Sequence, residues 1–437
     1  MKRINKSVIA LSLLVGIATA NAQEKKQLSL DEAVQLGIQN SKSLKIDAAK
    51  IEEATADLLA AKNRQLPDLS VSGSYLYLPI KPTIDLKIPG VSAAGGPEVH
   101  QVAYGSANLS VPIYSGGRLK YGIQSAKYLV EASKLSTEND KVAIAYNVAQ
   151  AYNNLFKANQ SIKVLEENLS ASSKRDETFL KLENNGVIAR NDRLKANLQT
   201  SNIELQLLEA QNNYSIANIN MDLLLGLPET TEIEVDQNYI DEASDLKPVS
   251  FYVNSAYENR NDLKSLDQQR KAAELGTKSA KAENLPSVAF TGGYVAADIP
   301  KFLTIYNAVN VGVGISYNLS NLWKENSALK QSKAREMQLS ATNQLLNDNI
   351  KLEVNREYQN SEYSKKRIAV FEKAAIQANE NYRITKNKYD NGLATMTELL
   401  DADAAQIAAN VGVINAKADA VLAYRKLLQT TGTLTIK

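Results

Sequence analysis

Glu398 and Asp401 stand one helical turn apart, at i and i+3, the pair of side chains in this sequence best placed for joint chemistry. Two carboxylates on one helix face can act as acid and base on a substrate, or gather cations. A carboxylate-dependent hydrolase is the enzyme reading of the pair. The plainer alternative is that acidic residues in a first helical turn offset the helix dipole. Few other chemistries remain. The chain has one histidine, His100, and no cysteine, which removes Cys/His metal cages, thiolate catalysis, disulfides and lipidation of a processed cysteine. There is no Walker-type glycine loop and no G-x-S-x-G elbow, and Gly95-Gly96-Pro97 beside His100 reads as a loop. A net charge of +2 gives no ground for a nucleic-acid partner, and no cofactor is expected.

The elements that must position these carboxylates are written twice. Asn185-Gly186 returns as Asn391-Gly392, and the same spacing relates Tyr152 to Tyr358, Ile162 to Ile368, Lys127 to Lys333 and Gly226 to Gly432. Ahead of the duplication, Lys2, Arg3 and Lys6 precede an apolar run from Val8 to Ile17, and Ala20-Asn21-Ala22 supplies a small-x-small cleavage pattern. Residues 1–22 therefore read as a signal peptide, and the chain as exported. No later stretch approaches the ~20 apolar residues of a transmembrane helix.

The rest divides into a first repeat, 23–247, and a second, 248–437. Each reads helix, strand, strand, very long helix, turn, long helix. The opening helix runs from Leu30 to about Lys62 and stops at Leu66-Pro67; its copy stops at Leu285-Pro286, because proline cannot continue a helix and pushes the preceding residue to an extended conformation. Period-two alternation then predicts strands at about 67–79 and 101–114, and at about 286–297 and 302–319. Their apolar faces are Leu69, Val71, Gly73, Tyr75 and Tyr77; Ala103 to Ile113 at every second residue; Val288, Phe290, Gly292 and Tyr294; and Ile305 with Val309, Val311, Val313, Ile315, Tyr317 and Leu319. Helical hairpins over 117–226 and 322–431 follow, and residues 226–247 form a connector with a short extended run at Glu232-Ile233-Glu234-Val235. In the first hairpin Val148, Tyr152, Leu155, Ala158, Ile162, Leu165 and Leu169 step by three or four, as in a coiled-coil seam. Its first helix would be on the order of 100 Å long.

Strands of this length can cross a bilayer, and tyrosines near their ends suit an interfacial girdle. A soluble sheet with one wet face has the same alternation, so a periplasmic coiled-coil scaffold or adaptor without a pore is the rival reading. If the strands lie in lipid, their edges must be paired, and four strands cannot close a barrel whose smallest known size is about eight. The chain must then oligomerise, with two or three copies both satisfying closure.

In the order of these parts the chain resembles the TolC-like outer-membrane efflux proteins. The resemblance rests on the signal peptide, the Asp31-Glu32-Ala33 helix ending near Asn40 and Leu44 and echoed at Asn259 and Leu263, and the Leu-Pro steps into the strands. It also rests on Val148/Tyr152 repeated as Val354/Tyr358, the Gly226-Leu227-Pro228 connector, and the tips 185–192 and 389–402. It implies an α+β membrane protein of the outer membrane: an internally duplicated homotrimer whose long helical hairpins form a periplasmic α-barrel and whose four strands per chain build a 12-stranded transmembrane β-barrel. It further implies an exit duct in contact with outer-membrane lipid, not an enzyme, served by a periplasmic adaptor of the membrane-fusion type and an inner-membrane efflux pump or ABC exporter.

The resemblance also assigns roles. Glu398 and Asp401 would form the acidic ring of a periplasmic gate, where like charges from three protomers raise the carboxylate pKa values. Asp192 and Tyr389 match a latch between neighbouring hairpins. The latch arginine of the family falls at Ala394 here, leaving Arg190 or Arg193 as replacements. Gly186, Val187, Ile188, Gly392 and Leu393 would be the tips on which the adaptor docks, although ordinary turn packing explains the apolar ones equally well. The longer first interstrand loop, Lys81 to Glu98, would lie outside the cell.

Overall fold

The computed structural model describes residues 25–80, 82, 99–241, 245–300 and 303–435. The expected signal peptide, 1–22, and nearly all of the segment 81–98, expected to be the larger outer loop, lie outside that set. In chain order the elements are β1 (Lys25–Leu28), α1 (Leu30–Asn40), α2 (Lys42–Asn63), β2 (Asp68–Tyr77), β3 (Gln101–Tyr114), α3 (Arg118–Asn184), α4 (Arg190–Leu225) and β4 (Glu232–Val235). The second copy supplies α5 (Val249–Asn259), α6 (Asn261–Ala282), β5 (Ser287–Ile299), β6 (Leu303–Ser316), α7 (Ser327–Asp390) and α8 (Met396–Thr430). Two compact units result, one of residues up to Ile46 with Thr137–Asn261 and Asn347 onward, the other of Asp47–Ser136 with Asp262–Leu346.

The opening helix expected to run unbroken from Leu30 is two helices. Ser41 leaves the helical conformation and its hydroxyl accepts from the Leu44 amide, starting α2, while the Asn40 side chain donates to the Leu225 carbonyl at 2.7 Å. The copy breaks likewise at Arg260, whose guanidinium reaches the Thr430 carbonyl and Glu353. Alternatives to the next backbone bond end each helix where a side chain is needed elsewhere.

The second unit contains an antiparallel sheet in the order β2-β3-β5-β6, so β2 and β6 are its edges. Register confirms the predicted faces. Leu69 pairs with Leu109, Leu109 with Gly292 and Gly292 with Val311, while Val71, Ala107, Tyr294 and Val309 form the next row. The opposite face is small and polar: Ser72 and Ser106 share a hydrogen bond at 2.9 Å, Asn108 donates to Ser106, and Thr291 and Asn310 continue it. Two bulges correct the expected alternation. Ile113 is an extra residue in β3, so the apolar face passes from Val111 to Tyr114. In β6 an extra residue at Asn307, which sits at φ 56°, moves Ile305 to the face of Ala308. β6 also ends at Ser316, and Leu319 belongs to a 3-10 turn, because the Asn318 side chain caps Ser320. The long helix consequently begins at Ser327, later than the expected Leu322.

The core of the first unit gathers where the connector meets the hairpins. The parallel pair β1–β4 was not legible beforehand. Tyr152 is fully buried, and its hydroxyl donates to the Leu28 carbonyl and accepts from the Asp236 amide, clamping both short strands to α3. Asn218 of α4 ties the same belt: its amide donates to Asp222 and the Thr231 carbonyl, and its oxygen accepts from Ile233. Burial, with Glu229 nearby, pushes the Asp222 carboxyl up to about 6. An acid raised in the folded state contributes stability at low pH that is lost as pH rises through the window from about 4 to about 6. Thermal unfolding of the belt should therefore shift upward as pH falls across that window, and Asp222→Asn should flatten the dependence; an unchanged slope in the variant would assign it to other groups.

Candidate gate and docking site at the hairpin tips

Both hairpins turn by the same device. Gly186 and Gly392 take left-handed φ values of 72° and 73°. The next residue's amide reaches back five positions, Val187 to Leu182 and Leu393 to Lys388, and each glycine amide reaches back three. This is the Schellman arrangement, which needs glycine at the left-handed position. The turn leaves Val187 and Leu393 exposed, 66% and 77%. Ile188 differs: it packs into the cluster below and acts as turn packing.

That cluster joins the two hairpins of the chain. Phe179, Ala196, Met396 and Leu399 are buried together, with Leu182, Ile188, Tyr382, Tyr389 and Leu400 packed around them. The Tyr389 ring meets Phe179 edge-on at 5.8 Å. Desolvation first, and then the charges of Asp192 and Asp390, raise the Tyr389 hydroxyl above its usual range, so it remains a donor. Within one chain no hydrogen bond joins Tyr389 to Asp192, which is instead 3.7 Å from Lys195. Arg193 pairs with Glu183 inside its own hairpin, whereas Arg190 is exposed.

The expected gate carboxylates behave differently from each other. Glu398 completes a capping box with Thr395, accepting from the Thr395 amide at 2.6 Å while the Thr395 hydroxyl accepts from the Glu398 amide at 3.2 Å. These bonds hold its carboxyl below the usual range. Within the protomer, then, the shift at Glu398 is opposite to the expected rise, and the dipole-capping explanation is true of this residue. Asp401 is exposed and makes no hydrogen bond or ion pair among the described residues. Both side chains still face solvent.

Sequence reasoning missed the pair that lies deeper. Arg175 of α3 and Asp403 of α8 form an ion pair at 3.0 Å with side chains 14% and 4% exposed. Burial pushes the Asp403 carboxyl upward, and Arg175 opposes that shift. The duplication carried a signal for it: the position equivalent to Asp403 is Asn197, which bonds Asp176 inside the first hairpin at 3.0 Å, and the position equivalent to Arg175 is Asn381. The copies depart from each other where the two hairpins are joined. Lys195 and Thr397 add a weaker link at 3.4 Å.

Among the described residues there is no metal-binding cluster and no helix long and apolar enough to cross a membrane. The chain thus combines a duplicated pair of long helical hairpins with a sheet whose apolar face is bare. The family model for outer membrane efflux proteins matches residues 33–227 and 252–433, and the chain belongs to that family. It is 20% identical over 436 residues to the outer membrane efflux protein BepC of Brucella suis, covering 98% of this chain and 91% of that protein. In fold it is similar to the outer membrane protein VceC of Vibrio cholerae (TM-score 0.77, 18% identity, 92% of this chain and 96% of that one). The CmeC outer membrane channel of Campylobacter jejuni is similar as well (TM-score 0.76, 19% identity, 93% and 86%).

Proposed function

We propose that three copies of this chain close a twelve-stranded barrel and form a passive exit duct, with the hairpin tips at its periplasmic mouth. The observation that carries this reading is the four-stranded sheet with two unpaired edges and a bare apolar face, on which Val71 and Ile315 are 79% and 75% exposed. Such a face and such edges are unstable in water and in lipid unless other copies and acyl chains cover them. A periplasmic scaffold would have no use for it. An inner-membrane pump or ABC exporter supplies the energy, and an adaptor seats on Val187 and Leu393, which the Schellman turns hold out to solvent. Glu398 and Asp401 give the mouth an acidic ring, and Asp192 and Tyr389 hold adjacent hairpins closed.

The gate is tested by Glu398→Gln with Asp401→Asn, since glutamine preserves the capping box that alanine would break. In planar bilayers the double variant should lose most of its block by multivalent cations and show a severalfold change in cation selectivity. Unchanged block and selectivity would place the constriction elsewhere.

A further inference from the structure

At the end of the sheet where it joins the helices, the chain passes four times, and each passage carries unpaired cations. Lys62 closes α2 and Arg64 follows it, Arg118 and Lys120 open α3, Lys281 closes α6, and Lys324 precedes α7; none forms an ion pair among the described residues. Against these six cations stand three acidic residues, Asp68, Glu283 and Glu325, and Glu325 is bound to Lys330. With a whole-chain net charge of only +2, this is a local excess. Packing brings the passages together. A side chain at Gly116 would come within 2.8 Å of the Leu285 Cβ and 2.9 Å of the Ala282 carbonyl, so the start of α3 lies against the end of α6. Asn326 donates to the Ala280 carbonyl at 3.3 Å and to Asn284 at 3.2 Å, which fixes the start of α7 against the same end.

Immediately on the sheet side of these cations lies a row of bare apolar groups: Leu66, Tyr114, Leu285, Tyr317, Leu319 and Trp323, the last 70% exposed. Lys324 is its neighbour in sequence. An amphipathic aromatic belt with long cationic side chains just beyond it matches the acyl-to-headgroup boundary of a leaflet, because Lys and Arg can lie along apolar surface and deliver their charge to phosphate.

We propose that this collar is a binding site for anionic phospholipid headgroups of the periplasmic leaflet, with Arg118, Lys281 and Lys324 holding the phosphates and Trp323 seated at the glycerol level. The inference rests on the membrane placement proposed above. A cation close to an anionic surface adds about 1 kcal/mol, or about fivefold in association, so the site should prefer phosphatidylglycerol to phosphatidylcholine by at least about fivefold.

Trp323 is the single tryptophan, so its fluorescence reports on this site alone. The full-length protein is reconstituted in phosphatidylcholine vesicles containing equal mole fractions of either brominated phosphatidylglycerol or brominated phosphatidylcholine. The phosphatidylglycerol should quench Trp323 more strongly, with a relative association constant of about five or more. The preference should fall towards one in the wild type at high salt, and in the Arg118→Gln/Lys281→Gln/Lys324→Gln variant. Equal quenching by the two lipids, or a preference that survives both treatments, overturns the proposal. Absence of quenching by either lipid would instead overturn the membrane placement on which it stands. The salt titration uses the unaltered protein, so a folding defect in the variant cannot mimic the result.

Discussion

Val311→Lys should prevent assembly, whereas Asn310→Lys, one residue away, should leave it intact. Val311 lies mid-strand on the bare apolar face opposite Gly292, and Asn310 lies on the polar face opposite Gly293. If the apolar face meets lipid, a lysine near the bilayer midplane costs about 2–4 kcal/mol per copy. Three copies bring that to roughly 6–12 kcal/mol per assembly, comparable with the whole stability of a typical domain. The polar face would line the lumen, where a lysine stays hydrated. The check is the fraction of protein in outer-membrane extracts that runs as an unheated oligomer. Equal tolerance of both lysines, or the reverse order, would mean that the faces are assigned wrongly.

Asp403→Ala should loosen the two hairpins near the mouth more than any tip substitution. It would leave the Arg175 guanidinium buried, with its Nη1 already lacking a hydrogen-bond partner. Removing one member of a buried pair costs about 3–5 kcal/mol, chiefly through the uncompensated charge that remains. Replacing both, as Arg175→Met with Asp403→Val, should recover most of that cost, because an apolar pair leaves no desolvated charge beside the cluster of Phe179 and Leu399. Hydrogen exchange around Phe179 and Met396 reads the effect directly. Protection should fall by roughly two to four orders of magnitude in the single variant and return in the double. A single variant with native protection would show that the pair contributes nothing to holding the hairpins together.

Much of this architecture was legible because its signals are periodic or repeated. The alternation in Leu69 to Tyr77 and in Val288 to Tyr294 gave the correct faces, and Asn185-Gly186 with Asn391-Gly392 gave both turns, since glycine at a left-handed helix terminus is a local requirement. What escaped depends on contacts far apart in the chain. The bulges at Ile113 and Asn307 shift the side-chain alternation without altering composition, and the break at Ser41 follows from Asn40 bonding a carbonyl 185 positions away. The strand Lys25–Leu28 is too short to show a period and exists because Tyr152 and β4 hold it. At the tips, spacing alone placed Glu398 and Asp401 on one face but could not distinguish a capping carboxylate from a free one. Arg175 and Asp403 lie on different hairpins and were missed; only a comparison of the two copies, with Asn381 and Asn197 at the equivalent positions, could have pointed to them.

In a three-copy duct the edge of β2 in one copy pairs with the edge of β6 in the next until the barrel closes. The chain has no cysteine, so introduced thiols report without background. Ser72→Cys on β2 can be combined in turn with Ala308→Cys, Asn310→Cys or Gly312→Cys, which occupy the same polar face of β6. Within one open sheet β2 and β6 stand three strand spacings apart, about 14 Å, far beyond the ~7 Å limit between the Cα atoms of a disulfide. Oxidation in the membrane should therefore give, at one register, a covalent ladder of monomer, dimer and trimer that stops at the trimer. A ladder that ends at the dimer, or no cross-link at any register, would contradict a three-copy duct.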